Sequence, residues 1–171
     1  FEGFWGNSIW KYRHGAGGRG QGDIFWQEKL NGPEYTVAVW ASRHNAADIR
    51  TLALRRELRG GATYRCWHEP DEPATQRASA VAHDYALALG FQGSFNVQGR
   101  DVEGRGFVPF EVNARFSSTV SLRDTMGFSD VWWSVQEDLG QDADAARPVG
   151  HARGVRYWSE RVQVNGEWRT T

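Results

Sequence analysis

The sequence predicts an α+β domain: an antiparallel sheet with packed helices. Short segments whose side chains alternate with a period of two recur along the chain, two others follow the helical period, and glycine-rich turns separate them. The 171 residues suit one domain with its own core.

In chain order, "HGAGGRGQG" (14–22) is a glycine-rich loop between apolar-aromatic stretches, and "IFWQEKL" (24–30) is a short strand and its exit. "EYTVAVWA" (34–41) sets Tyr35, Val37 and Val39 against Thr36, Ala38 and Trp40, which predicts a half-exposed strand. "RTLALRREL" (50–58) is rich in helix formers, but Leu52, Leu54 and Leu58 all fall at even positions and favour a strand. In "ATQRASAVAHDYALALG" (74–90), Ala78, Val81, Ala82, Tyr85 and Leu89 follow the helical period, and Gly90 can end the helix in a left-handed cap.

"SFNVQ" (94–98) and "GFVPFEVNARF" (106–116) read as strands of a hairpin turned by "GRDVEGRG" (99–106). Ser129 can cap a second helix in which Val131, Trp132, Val135 and Leu139 share a face and Gly140 is the stop. "GVRYWSERVQV" (154–164) reads as a final strand, followed by an "NG" turn signal.

Composition excludes several classes. A net charge of −1 creates no strong field toward nucleic acid or an anionic membrane. The sequence holds no run of about 18 apolar residues, the length needed to span a bilayer. The single cysteine, Cys66, rules out an intramolecular disulfide and a multi-thiolate metal site, and fits a reducing compartment. "FEGFWGNSIW" has no signal-peptide pattern and no initiator Met, which points to a fragment or a processed product.

Two constellations carry chemistry. In an extended "FEVNARFSS", Glu111, Asn113 and Arg115 would share one face. A carboxylate and an amide oxygen side by side suit a hard cation such as Mg²⁺, and a guanidinium beyond them suits phosphate. If 94–98 pairs with 106–113, Gln98 brings a third oxygen to that face. The same pattern also describes a solvated polar face. The second constellation is "KYRHGAGGRG" (11–20), where glycines let backbone N–H groups approach an anion and Lys11 and Arg13 add charge. Its spacing is not that of a P-loop, and an unliganded loop would look alike.

"FNVQ…FEVNARFSS" resembles the metal-binding hairpin of the ATP-grasp superfamily, most closely that of carbamoyl-phosphate synthase large-subunit-like and related carboxylate–amine ligases. The resemblance implies an ATP-grasp fold in which Glu111 and Asn113, with Gln98 as third ligand, hold Mg²⁺ (or Mn²⁺) on the ATP phosphates. Arg115, with Ser117 beyond it, would face the γ-phosphate or an acyl phosphate. It further implies that Lys11 contacts the α-phosphate, and that Arg13, Gly15, Gly17, Gly18 and Gly20 belong to the phosphate flap. In "QEKLNGPEY", Glu28 and Leu30 match the adenine hinge and Glu34 the ribose carboxylate.

Between Gly20 and Trp26 stands only "QGDIF", where the family has a helix and a strand, and its N-terminal substrate domain has no counterpart. The expectation is one domain over 1–171, with 1–26 a remnant of the phosphate-loop subdomain and 27–171 the C-terminal subdomain. Its partners would be small-molecule carboxylate and amine substrates, with self-association or a missing N-terminal domain as further options, in the cytoplasm. A carboxylase or carbamoyl-phosphate-forming enzyme shares this site, and a non-catalytic module binding nucleotide or sugar through Trp and Gly is the competing class. The histidines show no ligand spacing. In "RRELR", Arg55, Glu57 and Arg59 would line one side of a strand, facing solvent, the nucleotide or the acyl substrate.

Overall fold

The computed structural model describes residues 2–5, 8–12, 24–147, 149–157, 161–164 and 167–170. Strands β1 (Glu2–Trp5), β2 (Ser8–Tyr12) and β3 (Ile24–Glu28) form a three-stranded antiparallel sheet. A second sheet takes β4 (Glu34–Ala41), β5 (Ile49–Arg59), β6 (Ala62–His68), β7 (Gly93–Val102), β8 (Gly106–Asn113) and β9 (Ala152–Val155) in the spatial order β8-β7-β4-β5-β6-β9. All its pairings are antiparallel. Helix α1 (Pro73–Leu89) lies on one face of this sheet, and α2 (Val120–Thr125) with α3 (Asp130–Asp138) on the other. Strands β10 (Arg161–Val164) and β11 (Glu167–Thr170) pair as a separate hairpin.

Two helical layers explain why β4 is buried on both faces rather than half exposed. Tyr35, Val37 and Val39 join Phe95, Val97 and Phe107 against Ala78, Ala82 and Ala86 of α1, whose small side chains admit close packing. Ala38 and Trp40 join Leu52, Leu54 and Cys66 against Met126, Phe128 and Trp133. Trp40 and Trp133 meet edge to face with centroids 5.5 Å apart, a geometry aromatic rings favour. Pro73 opens α1 where its missing N–H costs nothing, and Gly90, at φ 57°, closes it.

Other expectations are corrected. The buried stripe of α1 is Thr75, Ala78, Ala82 and Ala86, while Tyr85 and Leu89 are exposed. On α3 the faces are reversed: Val131, Trp132, Val135 and Leu139 are exposed, and Asp130, Trp133, Gln136 and Glu137 are buried. The hairpin ladder runs on to Val102↔Gly106, so the turn is shorter than 99–106, and a register shift falls at Gln98/Gly99. The stretch 154–164 is not one strand: β9 pairs with β6 and ends at Val155, and β10 belongs to another sheet. Among the described residues no helix is long and apolar enough to cross a membrane.

Candidate functional site

The hairpin β7–β8 places Gln98 directly opposite Glu111 and Asn96 opposite Asn113. Residues two apart on a strand share a face, so these four side chains line one side of the sheet. They continue, toward the sheet's polar end, the face that α2 and α3 cover elsewhere. Asn96 is fully buried and donates to Thr36 Oγ1 at 2.8 Å and to the Val37 carbonyl at 2.9 Å. Gln98 Nε2 donates to Asn96 Oδ1 at 3.2 Å, which orients the Gln98 amide. Among the described residues Glu111, which is exposed, has no hydrogen-bond or ion-pair partner.

Beside this face opens a cleft of about 480 Å³, lined by Gln27–Gly32, Glu34, Arg56, Gln98, Arg100 and Glu111 among others. Glu34 sits in the ladder between Arg56 of β5 and Arg100 of β7. Its Oε1 accepts from Arg56 Nε at 2.9 Å and lies 2.7 Å from Arg56 Nη2, and its Oε2 accepts from Arg100 Nη2 at 2.7 Å. Arg56 Nη2 also donates to Gln98 Oε1 at 2.7 Å.

The 29–33 segment is pinned to the hairpin. Arg100 Nη1 donates to the Gly32 carbonyl at 2.8 Å, and the Asp101 amide donates to the Pro33 carbonyl at 3.0 Å. Gly32 has φ +115°, and a Cβ there would stand 2.1 Å from the Asp101 oxygen, so only glycine fits. Glu28 is exposed and accepts from Arg105 Nη1 at 2.9 Å, whereas Leu30 is buried.

The structure therefore gathers Glu28, Leu30, Glu34, Gln98 and Glu111 around one cleft. Lys11 lies on β2, opposite Glu2 and Phe25 in the ladders. Arg13, Gly15, Gly17, Gly18 and Gly20 lie outside the described residues. Arg115 does not extend the strand, because β8 ends at Asn113 and the Arg115 amide donates back to the Asn113 carbonyl at 2.8 Å. That turn, rather than the pleat, brings its exposed guanidinium to Asn113 Oδ1 at 3.3 Å.

Asn96, Arg56 and Arg100 escaped the sequence reading. Arg55, Glu57 and Arg59 do not line the cleft: Arg55 stacks on Trp67 at 4.3 Å and pairs with Glu69, and it is the even-numbered Arg56 that enters. The even positions of Leu52 and Leu54 carried the missed signal, since Arg56 continues their face.

The donor set at the hairpin is all oxygen: one carboxylate and two amides. That suits a hard divalent cation which takes further ligands from a substrate phosphate. The Glu111 carboxylate is unengaged among the described residues; Asn113 Nδ2 is buried without a partner, and as a donor it would meet a phosphate oxygen rather than the cation. Gln98 fits less well, because its oxygen already accepts from the Arg56 guanidinium at 2.7 Å; Asn113 Oδ1 accepts from Arg115 as well, at the longer 3.3 Å. Among the described residues no three His, Cys, Asp or Glu side chains cluster for a metal.

Comparison with known proteins identifies the family and the fold. A family model described as "ATP-grasp in the biosynthetic pathway with Ter operon" matches residues 21–161, and the chain belongs to this ATP-grasp family. Its fold, an antiparallel sheet with packed helices, is the ATP-grasp fold. An N5-carboxyaminoimidazole ribonucleotide synthetase in its ADP complex superposes with a TM-score of 0.68 at 14% identity, over 87% of this chain and 45% of that one. The enzyme of the same name from Thermus thermophilus gives 0.63 at 16% identity, over 81% and 39%. Biotin carboxylase from Campylobacter jejuni, in a β,γ-ATP complex, gives 0.64 at 15% identity, over 78% and 32%. The chain thus spans less than half the length of these structures. No curated protein matches it.

Proposed function

We propose that this chain carries the nucleotide- and metal-binding part of an ATP-dependent ligase that activates a carboxylate as an acyl phosphate for attack by an amine or ammonia. The observation that carries the reading is the single cleft joining the 27–32 hinge to the Gln98–Glu111 cross-strand pair. In this proposal the hinge backbone and Leu30 receive adenine. Glu34 faces the ribose, and its Oε2, which accepts one hydrogen bond from Arg100, keeps a lone pair for a hydroxyl. Lys11, Arg13 and the glycines at 15, 17, 18 and 20 cover the phosphates.

Glu111 and Asn113 would hold Mg²⁺ or Mn²⁺, which when bound neutralises charge developing on the phosphate oxygens. Arg115, beside Asn113, stabilises the transferred phosphoryl group. The substrate carboxylate attacks the γ-phosphorus and ADP departs; the amine then attacks the acyl carbon and inorganic phosphate departs. No protein nucleophile is needed, because positioning and electrostatics supply the catalysis.

Glu111→Ala should abolish ADP release measured against panels of carboxylates and amines while leaving the circular-dichroism spectrum unchanged. Normal turnover by the variant would overturn the assignment. The carboxylase names of the similar structures favour one variant of the reading, with bicarbonate as the activated carboxylate. Bicarbonate-dependent ADP release identifies it. Binding of Mg·ATP with no acceptor-dependent phosphate release would instead point to a non-catalytic nucleotide-binding module.

A further inference from the structure

If the hairpin binds a divalent ion as proposed above, two of its three oxygens already accept from a guanidinium: Asn113 Oδ1 from the exposed Arg115 at 3.3 Å and, far more closely, Gln98 Oε1 from the sheltered Arg56. Arg56 Nη2 donates to Gln98 Oε1 at 2.7 Å and also lies 2.7 Å from Glu34 Oε1, so a single nitrogen bridges the two residues. The bridge is sheltered, since the Arg56 and Glu34 side chains are 9% and 10% exposed. The Gln98 amide is oriented at its other end by its bond to Asn96, so its oxygen stays directed at Arg56. A metal ion on that oxygen would stand next to a guanidinium, and like charges at such range repel. Glu111, directly across the ladder from Gln98, is left without a cation among the described residues.

We propose that Arg56 is a resident counter-cation of the unloaded site: it occupies Gln98 until a polyphosphate draws it away. Phosphate oxygens are stronger guanidinium partners than an amide carbonyl. Glu34 remains a pivot, because Arg56 can keep its Nε bond to Oε1 while Nη2 changes partner. Gln98 then becomes available to the metal at the moment the phosphates arrive. Divalent ion and nucleotide therefore bind as a pair, and the ion alone binds through Glu111 and Asn113 without Gln98. Arg56 is a positioning residue in this scheme.

The test is Mn²⁺ binding to the whole chain, read from the electron paramagnetic resonance of the free ion, with and without the β,γ-imido analogue of ATP. Arg56→Met removes the charge but keeps the stem, and Glu34 retains Arg100. This variant should bind Mn²⁺ alone about 10-fold more tightly than the parent, the scale of one charge-assisted hydrogen bond. It should bind the analogue more weakly, and the analogue should enhance Mn²⁺ binding less. Gln98→Ala tests the same idea without touching Arg56. It should leave the affinity for Mn²⁺ alone unchanged and lose about 10-fold in the presence of the analogue.

Equal Mn²⁺ affinity in a folded Arg56→Met variant and its parent overturns the proposal. So does a Gln98→Ala variant that loses Mn²⁺ affinity equally with and without the analogue, whether or not Arg56→Met folds. Glu111→Ala separates this from the underlying reading. If it binds Mn²⁺ as the parent does under both conditions, the hairpin is not the metal site at all.

Discussion

Replacing Arg123 with Met should be among the most damaging single changes in the chain. Arg123 and Asp130 are an ion pair whose side chains are each 1% exposed. Arg123 Nε donates to Asp130 Oδ1 at 2.9 Å and Nη2 to Oδ2 at 2.6 Å, while Nη1 donates to Ser117 Oγ at 2.7 Å. Removing the guanidinium leaves a buried carboxylate with the Ser94 hydroxyl as its remaining side-chain donor. Breaking a buried pair by deleting one partner costs about 3–5 kcal/mol. Asp130 opens α3, where the positive end of the helix dipole offsets part of the loss, so a value near 3 kcal/mol is expected. For a domain of this size that corresponds to a fall in Tm of about 6–12 °C.

Urea unfolding followed by tryptophan fluorescence gives the number directly. The double variant Arg123→Met/Asp130→Leu should regain most of it, because no uncompensated charge remains. A single-variant loss below about 1 kcal/mol, or a double variant as unstable as the two single losses added, would refute this account of the pair. Ser117 and Thr119 also bond to Arg123, so the segment leaving β8 just past Asn113 and Arg115 should loosen as well. Hydrogen exchange over 114–119 should report it.

Three further outcomes follow from local geometry. Gly32→Ala forces a Cβ to within 2.1 Å of the Asp101 oxygen at a positive φ, so the urea midpoint should fall by an amount equivalent to at least about 1–3 kcal/mol; an unchanged midpoint would contradict the close approach. Burial pushes the Glu137 carboxyl up, but hydrogen bonds from Ser42 and from the Arg43 backbone and side chain outweigh it and hold it below the ordinary 4.5. Its stabilising contribution is therefore complete above about pH 4.5 and is lost as pH falls through the lowered value. The stability gap between the parent and Glu137→Gln should narrow over that range in acid titrations followed by urea melts. Burial raises the Cys66 thiol above its usual 9.0, although the Gly154 backbone and Arg156 pull the other way. A disulfide thiol reagent should label it at the rate of unfolding, and rapid labelling of the native protein would show the site to be open.

What could be read from the sequence depended on whether the information was local. The β7–β8 hairpin was legible because its strands are adjacent in sequence, but alternation does not reveal the register shift at Gln98/Gly99: an unbroken ladder from Val102↔Gly106 would set Gln98 opposite Phe110, and the shift sets it opposite Glu111. Arg115 was placed on the wrong element because alternation does not say where a strand stops. On α3 the apolar period pointed to the wrong face, since the buried side is held largely by polar groups with partners. Asp130 binds Arg123 and Ser94, Glu137 binds Ser42 and Arg43, and Gln136 Oε1 accepts from the Asp144 amide at 3.0 Å. A satisfied polar side chain can lie in a core, and hydrophobicity cannot announce it.

Arg56 and Arg100 were illegible for a different reason. They meet at Glu34 because β4 lies between β5 and β7, an order in which β7 joins β4 across the intervening β5, β6 and α1. Once the order is known, the chemistry constrains the register. Glu34 faces Arg56 on one neighbour and Arg100 on the other, and a one-residue slip of either strand would turn its arginine to the opposite face. A two-residue slip of β5 would set Glu34 beside Leu54 or Leu58, leaving a carboxylate in a sheltered place with one cation fewer. Each cross-strand ion pair adds only about 0.2–1 kcal/mol relative to an uncharged pair, but the misregistered alternative also carries the larger penalty of an unpaired charge. The arginine–glutamate–arginine row thus aligns β5 with β7 through β4, and it is this alignment that carries the Arg56 guanidinium to the oxygen of Gln98.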